Sequence, residues 1–284
     1  MSTTAGSGVE VTAIDTPALG DRSYLAHDGE VALVVDPQRD VDRVLALAAS
    51  RGVRIRHVFE THLPSGADLS PPRRADAAEL HRRIEAGEWV VDLRARRAFA
   101  AGHVAGTLSF DLDGSFATYL GWLIPWGTPL TLLGHTPGQV AEAQRELVRI
   151  GIDRPAAAAT GSPADWAGGR GLRSYPVADF ADLEAVRRHR PIVVLDVRRD
   201  QEWEVSHIAG AVHIPIHQLP ARLADVPGGE VWVHCEAGYR ASVSASLLDA
   251  AGRTVVAVDD EYGHAGRAGL PLDGPVTHAA GRVS

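Results

Sequence analysis

One pattern occurs twice in this chain at a fixed distance. Val91-Asp92-Leu93-Arg94 is followed by Phe99 and then by His103-Val104-Ala105-Gly106. Leu195-Asp196-Val197-Arg198 is followed by Trp203 and then by His207-Ile208-Ala209-Gly210. Each residue of the second set lies 104 positions after its counterpart (196 against 92, 198 against 94, 207 against 103, 210 against 106). An ungapped register of this kind marks an internal repeat, two copies of one unit of roughly 100 residues, a size at which a domain holds its own core. Residue types kept in both copies are read as serving the fold. Asp196, Arg198 and His207 have the partners Asp92, Arg94 and His103, so they are expected to tie strand to loop.

Each copy opens on a short apolar run without polar alternation, Trp89-Val90-Val91 and Ile192-Val193-Val194-Leu195. Such runs suit strands buried on both faces of a parallel sheet. Helices are expected over Val140 to Ile150 and Ala241 to Ala251, each stopped by a glycine, Gly151 and Gly252. Strands alternating with helices give an α/β sheet in each copy. Arg154 to Gly171, rich in alanine, glycine and proline, reads as a surface linker. The apolar insert Phe116 to Trp126 in the first copy is expected to cover the neighbouring domain, to form an oligomer interface, or to fill the core.

The single cysteine, Cys235, lies in His234-Cys235-Glu236-Ala237-Gly238-Tyr239-Arg240, between apolar Val231-Trp232-Val233 and the small-residue run Ala241 to Leu248. A strand, a tight loop and a helix start direct backbone N–H groups at one point and favour an anionic sulfur there. Arg240 adds a fixed positive charge with planar donors, and Gly238 permits the turn. One cysteine excludes an internal disulfide, a CxxC redox pair and a cysteine-rich zinc site. There is no lysine, so Schiff-base chemistry is excluded. A formal net charge of -8 argues against nucleic acid or an anionic membrane as main partner. Met1 to Gly8 lacks the basic and apolar regions of a signal peptide, and no apolar run approaches a membrane span. A reducing, cytoplasmic setting is the expectation.

The D-V-R…H-I-x-G-A signature followed by a Cys-x-x-Gly-x-Arg loop resembles the rhodanese family, over about residues 75 to 274 and more closely in the second copy. The ending Ala268-Gly269-Leu270-Pro271 is similar to the family's ending, although its tryptophan is missing. The resemblance implies two rhodanese-like parallel-sheet domains with helices on both faces, a silent one at 72–156 and an active one at 172–274. It implies sulfane-sulfur transfer through a Cys235 persulfide, with Glu236, Ala237, Gly238 and Tyr239 as the loop around the sulfur and Arg240 beside it. The partners would be a small sulfur donor, thiosulfate or a low-molecular-weight persulfide, and a thiol or cyanide acceptor; no cofactor and no metal are expected. Counting back 100 positions places His135 opposite Cys235, Gly138 opposite Gly238 and Val140 opposite Arg240, so the first copy lacks nucleophile and cation.

The first 70 residues lie outside the repeat. Tyr24 to Asp40 with Glu60-Thr61-His62 resembles the opening of a metallo-β-lactamase-fold domain of the persulfide-dioxygenase kind. In that family Thr-His begins T-H-x-H-x-D-H; here Leu63-Pro64-Ser65-Gly66-Ala67-Asp68 follows, so residues 1–70 read as a truncated α/β fragment without its metal site. Two further functions stand beside sulfur transfer. One is a non-catalytic binding or regulatory protein. The other is a phosphatase or arsenate reductase, which the Cys-x4-Arg spacing disfavours because the loop is short for a tetrahedral oxyanion.

Overall fold

The structure, a computed structural model, describes residues 9–16, 21–37, 41–59, 68–113, 115–152 and 154–274. The chain divides into two compact units, Met1–Asp68 and Leu69–Ser284.

In the N-terminal unit β1 (Glu10–Thr16), β2 (Asp21–His27) and β3 (Val31–Val35) form an antiparallel meander. Helix α1 (Val41–Ser50) carries the chain back to lay β4 (Arg54–Phe59) parallel to β3. Leu25, Ala32 and Val34 of the sheet pack with Val44 and Ala48 of α1 and with Val53. The residues Glu60, Thr61 and His62, on which the metal-domain resemblance rests, lie outside the described residues.

The larger unit runs α2 (Ala77–Glu85), β5 (Trp89–Asp92), α3 (Arg96–Ala101), β6 (Leu108–Ser109), α4 (Phe116–Leu123), β7 (Leu130–Gly134), α5 (Pro137–Val148), β8 (Ala157–Thr160) and α6 (Pro163–Ala167) through its first half. The second half runs β9 (Val177–Ala178), α7 (Phe180–Arg187), β10 (Val193–Asp196), α8 (Asp200–Val205), β11 (His207–Ile208), β12 (Val212–His213), β13 (Val231–His234), α9 (Tyr239–Ala250), β14 (Val255–Val258) and β15 (Leu272–Asp273). The first sheet has the order β6-β5-β7-β8 and the second β12-β10-β13-β14-β9, both wholly parallel. The unit is thus a mixed α/β structure with parallel sheets and helices.

The Arg154 to Gly171 stretch is not a linker. Ala157, Ala158 and Ala159 are buried in β8, the last strand of the first sheet, and Ser162 with Asp165 forms a capping box for α6. Alanine marks a strand packed closely on both faces here, and the composition of a loop was shared by a buried edge.

The repeated motif builds the same interactions twice. Asp92 accepts two bonds from Arg94 Nε and Nη2, and Arg94 Nη2 also donates to the Gly102 carbonyl. Asp196 and Arg198 make the same fork, and Arg198 reaches the Ser206 carbonyl. His103 stacks on Phe99 at 4.0 Å and donates from Nδ1 to its carbonyl; His207 does so with Trp203 at 3.7 Å. Each fork is buried and each histidine pins the loop that follows it, so these residues hold the strand to its crossover.

Helix α9 belongs to the second half and packs against both halves. All its residues from Tyr239 to Asp249 are buried. Its serines allow close approach: Ser246 Oγ accepts the Ser109 amide of β6 at 2.9 Å. At its last turn Asp249 meets His103 Nε2 at 3.1 Å and accepts a bidentate pair from Arg173. One apolar cluster accordingly holds Phe99, Phe116 and Leu120 together with Leu195, Val233, Val243 and Leu247. The Phe116 to Trp126 insert takes two of its expected places at once. Phe116, Leu120, Leu123 and Ile124 are core, while Tyr119 stacks on Tyr239 of the second half at 5.3 Å between ring centroids.

Candidate active site around Cys235

Along β13 the side chains alternate. Val231 and Val233 face the cluster shared with α9, while Trp232 joins the second cluster, under α7. Cys235, next in the alternation, falls on the α9 side and is 2% exposed. The chain then turns through Glu236, Ala237 and Gly238 into α9. Ala237 bridges Glu261, and the Glu236 carbonyl accepts the Tyr262 amide at 2.8 Å. Gly238 sits at φ +84°, and a Cβ there would collide with the Asp259 carboxylate, so both the turn and the close approach demand glycine. The Ala241 amide, in the first turn of α9, donates to Cys235 Sγ at 3.3 Å. The helix start therefore meets the sulfur.

Arg240 is placed beside Cys235, but its two terminal nitrogens face a carboxylate. Nη1 and Nη2 each donate to Glu202 of α8 at 2.7 Å, a planar two-bond pair. Burial opposes the Arg240 charge; the Glu202 bonds and the neighbouring Cys235 outweigh it and hold the guanidinium above the usual arginine range. Burial likewise works against the Glu202 charge, yet bonds from Arg240 and Arg199 pull its carboxyl down to about 2. Glu202 is thus ionised near neutral pH. The spacing did not reveal this residue, because its partner lies 38 positions away. The repeat does carry a signal: the position matching Glu202 in the first half is Ala98.

Glu236 is half exposed, with its carboxylate 3.8 Å from Arg198 Nη1. Arg198 lies under the Tyr262 ring at 3.5 Å. Tyr239 donates its hydroxyl to the Asp111 carbonyl of the first half at 3.0 Å, and burial pushes its own ionisation upward. Arg96 and Arg97 of α3 bind the Asp259 carboxylate that sits against Gly238. His234, just before the cysteine, is fully buried on the opposite face, with Nε2 3.6 Å from Asp196; burial pushes it down to about 4, so it is neutral.

Sheet register corrects the matching of the two loops. Asp196 pairs with His234 as Asp92 pairs with Leu133, so Gly134, not His135, stands opposite Cys235, and His135 stands opposite Glu236. Helices α5 and α9 are both 12 residues long and begin at Pro137 and Tyr239, which places Gly138 opposite Arg240 and Gln139 opposite Ala241. The first loop is one residue shorter between strand and helix, and a fixed offset of 100 misses that. Its space is filled from within: Gln139 accepts the His135 amide and donates to the Leu93 carbonyl, both at 2.8 Å. A Cβ at Gly134 would lie 3.2 Å from that glutamine. The space that holds the Cys235 sulfur in the second half is plugged in the first.

Among the described residues, no group of three or more His, Cys, Asp or Glu is placed to hold a metal ion, and no helix is long and apolar enough to cross a membrane.

Residues 179–262 match the model of the rhodanese-like domain family, so the chain contains a rhodanese-like domain at the site just described. Over 103 residues it is 35% identical to an HTH-type transcriptional regulator of Mycobacterium tuberculosis, covering 34% of this chain and 46% of the relative. Over 56 residues it is 34% identical to YrkF of Bacillus subtilis, described as a candidate sulfur carrier protein, covering 19% and 30%. The chain spans less than half the length of these curated relatives. Among solved structures, the thiosulfate sulfurtransferase of Pseudomonas aeruginosa is similar with a TM-score of 0.33 at 20% identity, covering 81% of this chain and 49% of that one.

Proposed function

We propose that the chain is a sulfurtransferase that carries sulfane sulfur on Cys235. The observation that carries this reading is the Ala241 amide at 3.3 Å from Sγ, at the start of a buried helix inside a rhodanese-like domain. The Cys235 thiolate attacks the outer sulfur of a donor R–S–SH. A Cys235–sulfur bond forms, the donor S–S bond breaks, and R–S⁻ leaves with the bonding pair, so sulfur moves without net oxidation. An acceptor thiolate or cyanide then attacks the outer sulfur of the persulfide and returns the Cys235 thiolate. With no second cysteine in the chain, that acceptor comes from outside.

In this reading the halves of the larger unit are tandem rhodanese-like domains, and the first is catalytically silent. Gly134 replaces the nucleophile and Gln139 fills the cradle, which supports the assignment. Residues 1–70 are the truncated opening of a metallo-β-lactamase-fold domain that bears no chemistry. The test is intact mass after incubation with thiosulfate or glutathione persulfide, beside a Cys235→Ser control. Gain of one sulfur on the parent alone supports transfer. No gain from any donor supports the second reading, a regulatory or binding module, which the relative named as a transcriptional regulator favours.

A further inference from the structure

The cation expected to receive an anionic donor at Cys235 is already occupied. Both terminal nitrogens of Arg240 are committed to Glu202 at 2.7 Å, and Arg199 Nε adds a third bond to the same carboxylate at 3.0 Å. The other charges around the loop are Arg198, Asp196 and Glu236, joined by the fork and by the 3.8 Å contact, and Arg96 and Arg97, which bind the Asp259 carboxylate beside Gly238, with Asp111 4.0 Å from Arg96. Five guanidiniums stand against five carboxylates. The surroundings of the sulfur therefore present no surplus positive charge to a dianion.

The repeat separates this pairing from the motif that both halves share, although Glu202 also caps α8 by accepting the Arg199 amide at 3.1 Å. The Asp–Arg fork is present in both halves, at Asp92 with Arg94 and at Asp196 with Arg198. Glu202 and Arg240 occur only beside the cysteine; Ala98 and Gly138 occupy the matching positions of the first half, which folds on the same sheet plan without them. A buried guanidinium without a carboxylate partner is a strong receptor for oxyanions, since leaving it unpaired is costly. Setting Glu202 against Arg240 removes that receptor and leaves it as a neutral wall.

On this basis, and resting on the sulfur-transfer reading above, we propose that Glu202 determines donor specificity. It neutralises Arg240 so that the site rejects dianionic donors such as thiosulfate and takes sulfur from organic persulfides or polysulfides. With thiosulfate, attack on the outer sulfur would expel sulfite, a dianion that needs positive charge both on entry and on leaving. With R–S–SH the departing group is a thiolate with a single charge, and the apolar R group carries the binding.

The experiment uses the full chain in two forms. In a Cys235→Ser background, thiosulfate and sulfate binding is measured by calorimetry with Glu202 and with Glu202→Gln. The freed guanidinium is expected to tighten thiosulfate binding by about tenfold or more, the worth of one or two charge-assisted hydrogen bonds. Adding Arg240→Gln must abolish that gain. Should the glutamine variant not fold, Glu202→Ala, the residue of the matching position in the first half, takes its place. With Cys235 intact, Glu202→Gln is expected to lower KM for thiosulfate while leaving kcat/KM for glutathione persulfide unimproved. Unchanged thiosulfate affinity on loss of the carboxylate, or a gain that survives Arg240→Gln, overturns the proposal and leaves sulfur transfer standing. Failure of the parent to gain sulfur on Cys235 from any donor overturns the transfer reading itself, whatever Glu202 does to anion binding.

Discussion

Asp196 is fully buried and is tolerated as an ion only because Arg198 and the backbone meet it on every side that matters. The Nε and Nη2 bonds and the Arg198 amide converge on it, and Arg198 in turn is held by the Ser206 carbonyl. Asp92 is in the same position with Arg94 and Gly102. Removing one partner of such a pair strands a buried charge, so Asp92→Asn and Asp196→Asn are each expected to cost about 3 kcal/mol in denaturant unfolding. A neutral Asp92→Asn would contradict the fold-bearing role of the motif. His234 sets a different dependence. Folded, it is neutral with its pKa lowered from 6.5 to about 4 by burial, so the unfolded chain binds the extra proton first as acid is added. Its contribution is present above pH 6.5 and is lost as pH falls toward 4. Replacing it by the residue that stands at the same place in the first half, as His234→Leu, is expected to flatten stability against pH in that window. The check is chemical denaturation at a series of pH values. Glu202 acts lower, between 4.5 and about 2, so the two windows overlap only at their shared edge.

The two strand-loop-helix segments show what one residue of loop length does. Counted from the matched positions His234 and Leu133, four residues precede α9 and three precede α5. With four, the sulfur position opens onto an amide; with three, a glutamine side chain closes over the glycine. Gly134→Cys therefore is expected to produce no second sulfur acceptor, with a single sulfur gained per chain by intact mass; a second would show that the shorter loop is competent. The repeat itself was legible in the sequence because the Asp–Arg fork and the histidine that pins its loop are local, within about a dozen residues, and both need fixed spacing. That Cys235, Gly238 and Arg240 share one short loop was legible for the same reason. The loop alignment was not, since a one-residue deletion inside a polar turn leaves no apolar pattern to betray it. The Arg154 to Gly171 region offers the same lesson from composition, as no periodicity distinguishes a buried alanine strand from a linker. Glu202 escaped because its pairing with Arg240 exists only across space, from α8 to α9.

At the scale of the larger unit, the halves share one apolar cluster and one helix. Ser246, 1% exposed, receives the Ser109 amide across the boundary, and Asp249 gathers His103 and Arg173. Ser246→Leu overfills this contact and leaves the Ser109 amide unpaired, a loss of about 3 kcal/mol. Because both halves lean on the same helix, the larger unit is expected to shift as one transition in calorimetry of the full chain; separate transitions for the halves, of which only one moves, would show that they melt independently. The first turn of α9 faces the sulfur and its last turn is gripped by the other half. In evolutionary terms such a helix is a lock against shuffling. A gene fragment encoding the thiol-bearing half alone would expose a face shaped only for the other half, so inheritance of the two together is the expectation.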